Sequence, residues 1–306
     1  MHEARGDSWP PMSTLPPPPA LRTPWLPKLV IAPTFVVSFL FIYGLMAWNG
    51  YLSLSASRLL PNYEFVGLAQ YEALFESERW WLALRNLAVF GGLFIAGGMG
   101  LGLLLAILLD QKIRGEGVLR TVYLYPMALS FIVTGTAWKW ILNPGLGLEH
   151  LLHQWGWEGA RLDWLIDPDR AIYCVVIAGV WQSAGFVMAL FLAGLRGIDD
   201  SILKAAQVDG ASLPRIYWRI VIPSLRPVFF STLMVVSHLA IKSFDLVMAL
   251  TAGGPGYATD LPATFMYTMA FSRGQIGLGA ASATVMLATV AAIVVPYLYS
   301  ELRSRR

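Results

Sequence analysis

The sequence predicts an all-α, polytopic membrane protein with six transmembrane helices, and three observations carry that prediction. Of 306 residues, 56% are hydrophobic and only 13% are charged, about half the charge of a soluble domain. Six apolar stretches recur along the chain, each of about 20 residues or more, which as helix crosses a hydrocarbon core of about 30 Å. The stretches do not alternate as barrel strands do, and in lipid the backbone must satisfy its own hydrogen bonds. A soluble globule would need more charge, and a disordered chain far less apolar side chain.

The spans are expected near 29–48, 87–109, 121–142, 171–195, 228–250 and 277–300. Residues 1–28 precede them as a Pro-rich tail, with Pro10, Pro11 and Pro16 to Pro19, read as a polyproline-like extension without a packed core. The membrane domain is then 29–306. The first span is not expected to be a cleavable signal, because it is too long and no small-residue cleavage site follows. The second span contains Gly98 and Gly102, a step that lets helices approach closely, either within this chain or at a dimer face. Residues 65–82 mix Phe65, Leu68, Tyr71, Trp80 and Trp81 with Glu72, Glu76 and Glu78; an amphipathic helix at the outer interface is expected there.

Lys and Arg placement orients the chain. With the N-terminus in the cytoplasm, the inner segments hold 14 basic residues and the outer loops 6, so both termini are expected in the cytoplasm. The modest net charge of +3 conceals an inside-positive polarity. A single cysteine, Cys174, and four scattered histidines offer neither a disulfide framework nor a zinc site. HExxH and GxxxxGK[ST] motifs are both missing. No metal site, bound cofactor, catalytic residue or nucleic-acid partner is expected.

The longest inner connection, residues 196–227, is patterned. Asp199, Asp200 and Ser201 offer helix caps. Gly210 can end that helix in a left-handed conformation. Ser212 and Pro214 open a second helix, which Pro223 and Pro227 are expected to end before the fifth span. Small Ala205 and Ala206 leave room for a partner to approach. Five of the inner cations lie in this loop.

Lys204-Ala205-Ala206, two residues, Asp209-Gly210-Ala211, then Tyr217, Ile220 and Pro223 resemble the EAA loop of the permease subunits of binding-protein-dependent ABC importers. The family pattern has Glu where Lys204 stands and Phe where Tyr217 stands, so an ion pair from that Glu to an ATPase is in doubt here. The resemblance implies a coupling helix between the fourth and fifth spans, seated in a cytoplasmic ATPase subunit. It implies a second, homologous permease subunit, two ATPase subunits holding ATP and Mg, a periplasmic sugar-binding protein and a bacterial inner-membrane location. Phe244-Asp245-Leu246, Leu250 to Gly256, Trp181-Gln182, Leu192 to Leu195 and Gly67 to Tyr71 resemble the carbohydrate branch. Overall likeness, with Arg120 to Asn143 and Trp164 to Arg170, is similar to the glucose/mannose-type permeases of proteobacteria.

Ionisable groups inside spans are costly and point to function. The candidate pathway residues are Trp181, Gln182, Ser237, His238, Lys242 and Asp245. Lys242 and Asp245, three apart, can meet on one helix face, either as a structural ion pair or lining the sugar pathway. Trp138 and Trp140 belong to an interfacial belt or to a sugar-stacking surface. His238 either packs between helices or serves as a ligand. An ion-coupled secondary transporter using Lys242 and Asp245 is the alternative function. Outer residues Arg161, Asp163, Asp167, Asp169 and Arg170 either touch a soluble binding protein or are simply solvated.

Overall fold

The computed structural model describes residues 25–60, 62–111 and 113–304. The tail expected over 1–28 lies outside the described residues as far as position 24. Regular structure among the described residues is helical, apart from one isolated antiparallel bridge between Ser55 and Phe65. The chain divides into two units, 1–48 and 49–306. The first contains most of α1 (Leu26–Ser53), along which Phe35, Phe39 and Tyr43 follow at i, i+4 spacing with ring centroids 6.3 and 4.9 Å apart.

The second unit runs α2 (Ala69–Glu76), α3 (Glu78–Asp110), α4 (Glu116–Ala128), α5 (Phe131–Ile141), α6 (Leu148–Gln154) and α7 (Ala171–Leu195). After α8 (Asp200–Val208) and α9 (Leu213–Ile216), a π-helical stretch (Tyr217–Val221) leads to α10 (Ile222–Ser224) and α11 (Arg226–Ile241). The chain closes with α12 (Asp245–Leu250), α13 (Pro262–Tyr267), a second π-helical stretch (Thr268–Ser272) and α14 (Ile276–Ser304).

Four helices, α1, α3, α7 and α14, are long and apolar enough to cross a membrane, and up to six spans result if each of two bent pairs, α4 with α5 and Leu213–Ser224 with α11 (bent by 65°), counts as one. Two predicted spans are not continuous. The one expected over 121–142 breaks at Leu129 and Ser130, where α4 and α5 meet at 98°. Pro126 weakens the end of α4, and the Ser130 hydroxyl accepts from the Val133 N–H at 3.2 Å to start a new helix. The one expected over 228–250 begins earlier, at Arg226, and breaks between Ile241 and Asp245. At 16 residues, α11 is only about 24 Å long.

Other boundaries differ for local reasons. Pro227 sits in the first turn of α11, where its missing N–H costs nothing. It therefore opens the fifth span rather than ending the loop helix, and Pro223 likewise lies in the first turn of α10. The 65–82 segment is not one interfacial helix. It divides at Ser77, and Trp80 is fully buried inside the unit.

The main core gathers Phe90 and Phe94 of α3, Val187 and Phe191 of α7, and Leu246 and Leu250 of α12. A smaller core of Leu74, Trp80, Phe265, Met269 and Ala281 joins α2, the start of α3, α13 and α14. Lipid offers little hydrophobic drive for helix association, so small residues that allow close contact matter more. A Cβ on Gly98 would lie 3.6 Å from Ser183 Oγ of α7, and one on Gly102 would overlap Val187. The Gly98–Gly102 step thus serves packing within this chain. At Gly185 of α7 an added Cβ would overlap the Tyr123 carbonyl of α4, a backbone atom that cannot swing away. Gly185→Ala is expected to destabilise the chain by about 3 kcal/mol or more, read as a lowered melting temperature in detergent; unchanged melting would contradict this packing.

Candidate functional site

Two places combine exposed chemistry with unusual backbone. The first is the connection between α7 and α11. Asp199 caps α8, its Oδ1 accepting from the Ser201 N–H at 2.8 Å, and this bond holds its carboxyl below the ordinary carboxylate range. The cap therefore strengthens α8 at neutral pH and weakens as acid protonates Asp199. Gly210 has φ +76°. The Ala211 N–H reaches the Ala206 carbonyl and the Gly210 N–H reaches Gln207, both at 3.0 Å, which together form a Schellman ending.

This helix–turn–helix presents Lys204, Ala205, Asp209 and Gly210 at the surface, while Ala206 is buried and Ala211 and Pro223 are partly buried. Val208, next to the turn, is 88% exposed, and Trp218, in the π-helical stretch, is 73% exposed. Behind the turn lies a cleft of about 490 Å3 lined by Asp110, Glu116, Arg196, Leu203 and Tyr217. Across the cleft Arg196 pairs with Glu116. Burial first, and the Asp110 charge second, push the Tyr217 hydroxyl above its ordinary pKa, so it keeps its proton.

The second place is the break between α11 and α12. Ser243 Oγ donates to the Leu239 carbonyl at 3.0 Å and the Lys242 N–H to the His238 carbonyl at 3.1 Å. The exposed side chains of Lys242 and Asp245 flank a cavity of about 120 Å3 that also touches Phe131. Phe131 opens α5, so the two broken helices meet here. The expectation that Lys242 and Asp245 share one helix face is corrected: the helix ends between them. The ion pairs among the described residues are Arg79–Asp260, Arg170–Asp167 and Arg196–Glu116.

Gln182 and Trp181 part company. Gln182 is 3% exposed and its Nε2 donates to the Leu129 carbonyl at 2.8 Å, holding the α4–α5 break from behind. Trp181 packs edge-on to Trp138 at 6.0 Å in an apolar groove with Tyr173 and Val180, which is not the cavity at Lys242. Ser237 is partly buried and His238 exposed, one turn before the break.

Sequence reasoning missed two features. Phe244 stands 4.9 Å from Tyr267, which stands 5.3 Å from Phe271, an aromatic ladder leading away from the break. Only Phe244 belongs to a stretch that resembles the carbohydrate branch. The second feature is a buried network. Arg79 Nε donates to Asp260 Oδ2 at 2.7 Å, and its guanidinium lies 4.1 Å from the Tyr257 ring centroid. Thr264 Oγ1 donates to Asp260 Oδ1 at 2.6 Å, and Asn86 Nδ2 to the carbonyls of Asp260 and Tyr257. The network fastens the 251–261 loop, with its cis Gly254–Pro255 bond, to α3. No group of three or more metal-ligating side chains occurs among the described residues.

Residues 98–304 match the family model for the binding-protein-dependent transport system inner membrane component. A probable ABC transporter permease protein of Pyrococcus horikoshii is 41% identical, the match covering 91% of this chain and 97% of that one. A xylose/arabinose import permease protein of Haloferax volcanii is 36% identical over 87% of this chain and 85% of its own. A bacterial ABC transporter involved in the import of the acidic polysaccharide alginate shares the fold, with TM-score 0.80 and 21% identity over 91% of this chain and 96% of that chain. The chain is accordingly a multi-pass transport component rather than an enzyme, ATP hydrolysis falling to separate ATPase subunits, and it belongs to the family of binding-protein-dependent transport system inner membrane components.

Proposed function

We propose that this chain is the permease subunit of an ABC sugar importer in a bacterial inner membrane, enclosing the sugar pathway with a second, homologous permease. The observation that carries the pathway assignment is the meeting of two broken helices at Lys242 to Asp245. Discontinuous helices expose backbone and charge at mid-membrane depth, where transporters bind substrate. The Phe244–Tyr267–Phe271 ladder supports a sugar, whose apolar face stacks on aromatic rings. The relative named for xylose and arabinose supports a monosaccharide, and the resemblance of Arg120 to Asn143 favours the glucose/mannose class. Residues 29–306 form the permease domain, with six spans when α4 with α5, and α11 with α12, each count as one. Both termini face the cytoplasm, residues 1–28 being a cytoplasmic tail.

In this reading Lys204, Ala205, Ala206, Asp209, Gly210, Ala211, Tyr217 and Pro223 form the loop that docks on one of two ATPase subunits, which bind ATP and Mg. The exposed apolar side chains of Val208 and Trp218 support such docking. ATPase closure and the loaded periplasmic binding protein both favour an outward-open state, and only differential affinity shifts that equilibrium. Vesicles holding the assembled importer and internal ATP test the pathway. Labelled glucose uptake is expected to yield to unlabelled mannose, less to maltose, and not to glycerol phosphate. Lys242→Met and Asp245→Leu are each expected to reduce uptake at least tenfold with normal assembly. Because the two side chains are not paired, the double variant should not recover; recovery would return them to a structural role.

A further inference from the structure

We propose that the Tyr217 hydroxyl is a positioning group that ties the ATPase-docking loop to the cytoplasmic end of α3, so that movement of the loop is passed to that span. The proposal rests on the docking role given to the loop above.

The contact lies between residues far apart in sequence. Gln111 Nε2 donates to Tyr217 Oη at 2.7 Å, and Tyr217 Oη in turn donates to Asp110 Oδ2 at 3.4 Å. Asp110 is the last residue of α3 and Gln111 caps it. Tyr217 opens the π-helical stretch that separates the docking turn from the fifth span. Such single wide turns are sites of local adjustment in helices.

The ring and the hydroxyl do separable work. The half-buried ring packs against the main core, which a phenylalanine would do equally. The hydroxyl bridges the cleft. Beside it, the Arg196–Glu116 pair joins the end of α7 to the start of α4. Asp200, Leu203 and Gln207 of α8 line the same cleft. Two polar clasps thus line this cleft, one joining the loop to the end of α3 and the other joining the ends of α7 and α4 to each other. Of the two, the Tyr217 clasp joins the loop to α3, which packs along α7 and contributes Phe90 and Phe94 to the main core.

The test uses the assembled importer, purified through a tag on this chain and reconstituted with its binding protein. Tyr217→Phe keeps the ring and removes the hydroxyl. It is expected to lower sugar taken up per ATP hydrolysed by about fivefold, with unchanged melting and unchanged cross-linking of Ala205→Cys, a surface position, to the ATPase. Gln111→Leu should reproduce the loss, and adding Tyr217→Phe to it should deepen the loss by less than twofold, since both remove one contact. An unchanged uptake-to-hydrolysis ratio in Tyr217→Phe, with cross-linking intact, overturns the clasp while leaving docking in place. Failure of the otherwise wild-type Ala205→Cys chain to cross-link overturns the docking reading itself, and the clasp with it.

Discussion

Asp260→Ala is expected to destabilise the chain by about 3–5 kcal/mol, because it leaves the Arg79 guanidinium charged and unpaired inside the unit. Asp260 is 1% exposed and Arg79 13%, so water cannot replace the lost carboxylate. The same substitution removes the acceptor of Thr264 Oγ1 at 2.6 Å and leaves that hydroxyl only its bonds with the Leu261 backbone at the start of α13. Melting of the purified chain in detergent measures the loss. Replacing both charges, Arg79→Met with Asp260→Leu, should recover most of it, since two apolar side chains can fill a site that one stranded charge cannot. A single Asp260→Ala variant that melts like the parent would contradict the geometry of the network.

Gly210→Pro is expected to abolish uptake while leaving the spans folded. Proline holds φ near −65°, and position 210 needs +76°. Proline also deletes the N–H that reaches the Gln207 carbonyl at 3.0 Å. Both losses strike the turn between α8 and α9 and leave the cores untouched. Gly210→Ala is the contrasting variant. Its Cβ would have nothing within 4 Å, so only the left-handed backbone is penalised, by about 1–2 kcal/mol, and partial uptake should survive. Full ATP-driven uptake by the proline variant would remove the loop from the coupling path.

What the sequence showed and what it hid follow from the range of the forces involved. The loop was legible residue by residue: Asp199 caps, Gly210 turns and Pro214 opens the next helix, all acting on their own neighbours. Apolar length located the helices but could not locate the breaks, because hydropathy is blind to a change of direction. Ser130 and Pro126 left a trace of the first break. Lys242, Ser243 and Phe244 left none, as each is tolerated in a helix and tertiary contact with α5 decides their conformation. Arg79 and Asp260 carried no trace of their pairing, since nothing local marks two groups 181 positions apart as partners. Tyr217 was legible as an aromatic position, while its hydroxyl acquired meaning only when α3 ended beside it. Trp181 and Gln182, adjacent in sequence, point to different surroundings because neighbours on a helix do not share a face.

The central claim is that this chain couples ATP hydrolysis to passage of a sugar, and energising reconstituted vesicles in two ways tests it most directly. With the assembled importer, external binding protein and internal ATP, labelled glucose should accumulate without any ion gradient. Accumulation in ATP-depleted vesicles driven by a sodium or proton gradient, and none with ATP alone, would contradict the account and give Lys242 and Asp245 to ion coupling instead.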